Sequence, residues 1–249
     1  MDLAELALVL AAIAAGAFVK GVTGMGLPLL GVPLLAGSLG VEHAVVIIII
    51  PSLVTNTMLI RTYRTSIPHT RDLAPLLIGG ALGAIAGTWL LVELDDQVLS
   101  LVLAAVIFGY VIVFLLNPSI EFRPQLTRYL SPPVGLGSGV LQGATGISAP
   151  VIATYLHGFR LEKTAYVFSI TSFFLAVGLL QAASMVGLGL FTPTRLVQGL
   201  IALVTAVLVL PLGIRTTRRL SGRTFELVVL GVLVLVAIRL VFNALEGST

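Results

Sequence analysis

The sequence predicts an all-α integral membrane protein of two inverted repeats, each a re-entrant or broken helical hairpin plus three transmembrane helices. Three observations lead there: an apolar composition, six uninterrupted apolar stretches, and a glycine- and proline-rich break that occurs twice. Of 249 residues, 57% are hydrophobic and only 10% charged, with a mean hydropathy of +1.11. Soluble domains carry about 25% charged residues. A chain this apolar cannot cover a water-facing surface and needs lipid around most of its perimeter. Residues 1–249 read as a single membrane domain with no room for a sizeable soluble module, so the expected location is the cell membrane, multi-pass. The absence of cysteine excludes disulfides, thiolate chemistry and cysteine metal sites.

The first apolar region, about 3–37, opens with Asp2 and Glu5. A secretory signal needs a basic start, so this stretch is expected to stay in the fold. Gly and Pro interrupt it near its middle, leaving arms mostly too short to cross a bilayer. It reads as a hairpin whose tip lies near mid-membrane. Irregular backbone survives at that depth only where protein or a water-filled cavity satisfies its polar groups. Three spans follow, at about 43–60, 73–92 and 97–116. A second broken region covers about 130–158, and three more spans lie at about 164–187, 195–214 and 225–243. Each span is near the ~20 apolar residues that a crossing helix requires.

Loop charges orient these elements. Arg61, Arg64 and Arg71 precede the second span; Arg123 and Arg128 precede the second broken region; Arg215, Arg218, Arg219 and Arg223 precede the last span. The positive-inside rule makes all three segments cytoplasmic. The turn with Glu93, Asp95 and Asp96 goes outside, and so does 188–194, although Arg195 stands at its edge. This alternation holds only if the second broken region returns to the side it entered from. A single crossing would also place Arg160 and Lys163 outside. The first region is assigned a hairpin by its likeness to the second, which puts both termini on the outer face.

The likeness is an internal repeat. The first break runs Lys20-Gly21-Val22-Thr23-Gly24-Met25-Gly26-Leu27-Pro28 and the second Gln142-Gly143-Ala144-Thr145-Gly146-Ile147-Ser148-Ala149-Pro150. They share G-x-T-G-x-[GS]-x-P at an offset of 122, close to half the chain. Repeat 1 is thus 1–125 and repeat 2 is 126–249. With one hairpin and three spans each, the halves lie in opposite orientations. Inverted repeats with broken helices at the midplane are a recurrent plan of secondary transporters.

The residues at the breaks suit an anion. Glycine permits positive φ and close backbone approach, and proline starts a helix without needing its N–H. Gly21, Gly24, Gly26, Gly143 and Gly146, with the helix-break residues Pro28, Pro51 and Pro150, leave N–H groups free at a positive helix end. Thr23, Thr145 and Ser148 add hydroxyl donors. Tight helix packing is the alternative use of the same residues. Lys20, matched by Gln142, is the one basic residue placed away from an interface. It reads as a counter-charge to an anionic substrate, or as a side chain snorkelling to the surface. Ser52, Thr55, Asn56 and Thr57 make the next span unusually polar, as Ser169, Thr171 and Ser172 do in the second half, with Ser52 and Ser172 at an offset of 120. Both helices are candidates to face a central cavity, and interhelical hydrogen bonding would need the same hydroxyls.

Other features read as structural. Gly79, Gly83 and Gly87 form a G-x-x-x-G-x-x-x-G ladder for close helix packing. Arg61 and Arg64 chiefly fix topology, and Arg239 snorkels near the end of the last span. No carboxylate falls inside a clear span, and His43, His69 and His157 stand at element ends without metal-ligand spacing. Nothing suggests a nucleophile–base pair or a nucleotide loop, so the chain is expected to be no enzyme, with no cofactor or metal and no nucleic-acid partner.

The first break with its following Pro33, the Pro51–Asn56 helix leading to Arg61-x-x-Arg64, and the Leu82–Leu91 stretch resemble the TauE/SafE family of sulfite exporters and toluene-sulfonate uptake permeases. The resemblance covers nearly the whole chain, and Ser148 departs from it where a third glycine is usual. It implies a permease for sulfite, thiosulfate, sulfonates and related anions, working by alternating access with the anion held between the two breaks. A passive anion channel or a non-transporting membrane scaffold would share the same helices.

Overall fold

A computed structural model describes residues 3–70, 72–116, 121, 123–220 and 223–246. Asp2 and Arg71 lie outside the described residues, as do the side chains of His69, Arg218, Arg219 and Arg223. The described residues are helical throughout, without a strand. The first half contains α1 (Leu3–Thr23), α2 (Pro28–Leu39), α3 (Val41–Tyr63), a 3-10 turn (Arg64–His69), α4 (Leu73–Glu93) and α5 (Asp96–Leu116). The second contains α6 (Pro124–Thr145), α7 (Ala149–His157), α8 (Lys163–Gly187), α9 (Pro193–Leu220) and α10 (Arg223–Glu246). Proline opens α2, α6 and α9 and sits in the first turn of α7, where a missing N–H costs nothing.

Seven of these helices are long and apolar enough to cross a membrane. Six are the expected spans. The seventh is α1, which corrects the expectation of short arms. Its 21 residues extend about 31 Å at 1.5 Å per residue, the thickness of a hydrocarbon core. Its break therefore lies toward the far end of the helix bundle, not at its middle. Lipid-facing residues are apolar and exposed, among them Leu115 on α5, Leu208 on α9 and Phe242 on α10.

Each broken region turns back on itself. Gln198 near the start of α9 donates to Glu5 at 2.6 Å and meets His43 at 2.7 Å, so the start of α1 and the start of α3 share one end of the bundle. Glu42 pairs with Arg195 at 2.7 Å, and Asp96 accepts from the Val41 N–H at 2.5 Å at that same end. At the other end, Tyr155 of α7 donates to the Thr127 carbonyl at 3.1 Å, and Thr127 donates to Asp72 at 2.5 Å. Asp72 precedes α4 and Asp96 follows it, so the two hairpins are rooted at opposite ends of α4.

Packing between the halves is exchanged. α4 packs on α6 while α9 packs on α1; α3 packs on α9 while α8 packs on α4; α3 meets α8, and α5 meets α10. This pattern is compatible with inverted repeats. Glycine lets the crossings close. A Cβ on Gly83 would stand 2.1 Å from the Leu136 carbonyl oxygen, and one on Gly139 would stand 2.1 Å from that of Gly80. Gly79 and Gly87 meet Pro132 and Val140 in the same way. In the α1–α9 crossing, a Cβ on Gly21 would come 2.5 Å from the Leu210 oxygen and one on Gly213 would come 2.3 Å from that of Phe18. Small residues that let backbones touch are the usual contact of membrane helices.

Candidate functional site

The two breaks share one backbone design. Gly24 has φ +74° and Gly146 φ +72°, the left-handed conformation that glycine adopts without penalty at the end of a helix. Each donates its N–H four residues back, to Lys20 and to Gln142, both at 2.8 Å. The preceding threonine bonds within its own turn. Thr23 donates to the Val19 carbonyl at 2.9 Å and accepts from the Met25 N–H at 3.1 Å. Thr145 donates to Leu141 at 2.8 Å and accepts from Ile147 at 3.3 Å. Each hydroxyl proton is thus held by a carbonyl of its own helix, a partner that residue type did not foretell. The N–H groups of Gly26 and Leu27, and of Ser148 and Ala149, have no hydrogen-bond partner among the described residues.

Side chains make the breaks differ. Lys20 is fully buried, so it does not snorkel. Its ammonium donates to Asn56 Oδ1 at 2.5 Å, and this is its one partner among the described residues. Ser52 lies one turn before Asn56 on the same face of α3, buried, with its hydroxyl unpartnered among the described residues. Lys20 and Asn56 are thus in contact, with Ser52 one turn away on α3. An ammonium carries three donors and is costly to bury without a counter-charge. Nothing acidic approaches it among the described residues.

Gln142 instead closes on its own break. Its amide donates to the Gly146 carbonyl at 2.8 Å, and its oxygen accepts from Ser148 at 2.9 Å. Ser148 is therefore a partner of Gln142, not a free donor. Gln181 of α8 donates to the Gln142 and Gly143 carbonyls at 3.0 and 3.3 Å. Sequence reasoning missed it, although a lone amide in an otherwise apolar stretch of α8 was the available signal. Gly21 and Gly143 belong to helix crossings, since a Cβ on Gly143 would stand 2.6 Å from the Ala84 carbonyl oxygen. Thr171 donates back to Val167 at 2.6 Å, and Ser172 is half-buried.

The breaks do not face each other. A Cβ on Gly24 would touch Val167 at 3.1 Å, and one on Gly146 would touch Val45 at 3.0 Å. Val45 and Val167 are themselves 122 apart, so α3 and α8 follow the offset of the breaks and not 120. Each valine is one turn inside the start of its helix. The start of α3 and the end of α8 share the Glu42–Arg195 end, so the two helices are antiparallel. Helix rise then separates the breaks by roughly 20 Å. In this conformation the two breaks stand apart and do not line one space. Arg61 and Arg64 are exposed.

A family model described as Sulfite exporter TauE/SafE matches residues 8–240. No curated protein and no solved structure matches the chain.

Proposed function

The chain belongs to the sulfite exporter TauE/SafE family, and we propose that it is a secondary transporter of a small sulfur-containing oxyanion such as sulfite, thiosulfate or an organosulfonate. Membership implies a membrane transporter of sulfur anions rather than an enzyme, and seven apolar helices accord with a multi-pass chain. The observation that carries the reading is Lys20: fully buried, held by one neutral amide, and without a counter-charge among the described residues. An anion supplies what the ammonium lacks, and intramembrane charge is usually functional. Asn56 positions the ammonium, and the unpartnered Ser52 hydroxyl and the free N–H groups of Gly26 and Leu27 are further donors.

The halves 1–125 and 126–249 act as opposed units that rock about the α3–α8 contact. The exchanged packing of α4 on α6 and α9 on α1 supports this, because glycine crossings can pivot without side chains to disengage. The arginine-bearing Asp72 end is cytoplasmic by the positive-inside rule, in the cell membrane.

Purified chain in liposomes, loaded with labelled sulfite, thiosulfate or methanesulfonate, tests this reading. Saturable flux that Lys20→Met removes is the expected result. No flux of any of them above protein-free liposomes overturns it, and non-saturating conductance makes the chain a channel.

A further inference from the structure

We propose a second anion site, distinct from Lys20, in the cavity that opens beside the first break at the Asp72 end. It takes an organic anion, a sulfonate or similar headgroup carrying a short apolar chain. It extends the transporter reading as a place where cargo is first captured, but its chemistry stands on its own residues.

The cavity has a volume of about 330 Å³. A water molecule's share of the liquid is about 30 Å³, so a bare four-atom oxyanion would leave most of this space to solvent. Pockets that hold small organic ligands begin at about 300 Å³. Its rim carries Lys163, Arg160 and His157, and its wall carries Met25, Leu161 and Phe225. Cationic rim and apolar wall match the two ends of an amphipathic anion. The larger cavity of about 440 Å³, between α5 and the second hairpin, has no charged residue in its lining and offers nothing to an anion.

Three details single out the rim. The Lys163 ammonium is exposed and has no ion partner among the described residues. Arg160 is held at φ +51°, a backbone region that favours glycine, and pairs with exposed Glu121 at 3.1 Å. The His157 ring lies 5.0 Å from that of Tyr166, forming a flat side to the mouth. The offset of 122 that relates the breaks puts Leu35, Ser38 and Val41 where His157, Arg160 and Lys163 stand. The first hairpin therefore has no basic residue at these positions, and Arg239 of α10 is the cation that meets Gly37 and Ser38 there. Thr23 and Met25 of the first break line the cavity, which places it next to the turn that carries Lys20.

The test is equilibrium binding of methane-, propane- and hexanesulfonate to the full chain in nanodiscs. Affinity should rise about twofold or more with each methylene, since burying apolar surface is favourable. Lys163→Gln, at an exposed position, should weaken hexanesulfonate binding about two- to fivefold. Leu161→Trp, which fills the cavity, should weaken it about tenfold or more. In the Lys20→Met background, which takes the Lys20 site out of the measurement, the chain-length trend and both losses should persist. Equal affinity across the series, or no response to either cavity variant, overturns this site while leaving the Lys20 reading intact. Cavity variants that weaken binding, together with full flux in Lys20→Met, overturn the Lys20 reading and keep this site.

Discussion

The first and second breaks have the same backbone and opposite needs. Both end a helix on a left-handed glycine, both close the turn with a threonine, and both start the next helix near a proline. At the position four before the glycine, one carries Lys20 and the other Gln142. Gln142 satisfies itself within six residues, on Gly146 and Ser148. Lys20 must reach 36 residues along the chain to Asn56 and still keeps donors to spare. The scaffold is thus one turn used twice, and a single side chain makes one copy self-contained and leaves the other with a buried ammonium that has donors to spare.

Transplanting the lysine breaks the comparison hardest. Gly178 stands at the offset of 122 from Asn56 and packs on Leu53, so Gln142→Lys buries an ammonium without the asparagine that receives Lys20. A loss of about 3–5 kcal/mol is expected, read as a lowered thermal unfolding midpoint in detergent. A variant as stable as the parent would show that the second break also accommodates a charge.

Removing the native lysine comes next. Lys20→Met should lower flux about a hundredfold or more while thermal stability stays level or rises, because an apolar side chain of similar length loses no solvation on burial. If stability falls and flux per folded molecule does not, the Lys20–Asn56 bond is a strut between α1 and α3.

Gly24→Ala and Gly146→Ala sharpen the shared part. Each forces a Cβ into a left-handed residue, at about 1–2 kcal/mol, against Val167 in one case and Val45 in the other. Similar losses in the two variants are expected from unfolding curves. A large difference would mean that the turns are equivalent in shape only.

The threonines give the smallest effect. Thr23→Val and Thr145→Val each lose the bond the hydroxyl donates to its own helix and the bond it accepts from the turn, together about 1 kcal/mol at roughly 0.6 kcal/mol per bond, with KM for the transported anion unchanged. A tenfold rise in KM would mean that the hydroxyl leaves its own helix to hold cargo.

How much of this was legible beforehand follows from the range of each interaction. The six uninterrupted spans and both breaks were readable, because hydropathy, Gly at a left-handed turn and Pro at a helix start act within a few residues. The ladder of Gly79, Gly83 and Gly87 announced a close crossing but not its partner, since spacing describes one helix face and the matching Gly135 and Gly139 are on another. The partners of Thr23, Thr145 and Ser148 were not legible for a related reason. Residue type shows that a hydroxyl is present, and only the folded turn shows that its proton is already taken.

The sequence by itself determined a lipid-embedded helical chain, the two places where its helices break, and a lysine at the first of them. Tertiary structure alone decided that the breaks lie about 20 Å apart, that Lys20 meets Asn56, and that Gln181 braces the second turn. The division is physical. Backbone conformation is set by neighbours in the chain, whereas the partner of a buried polar group is set by which helices pack together.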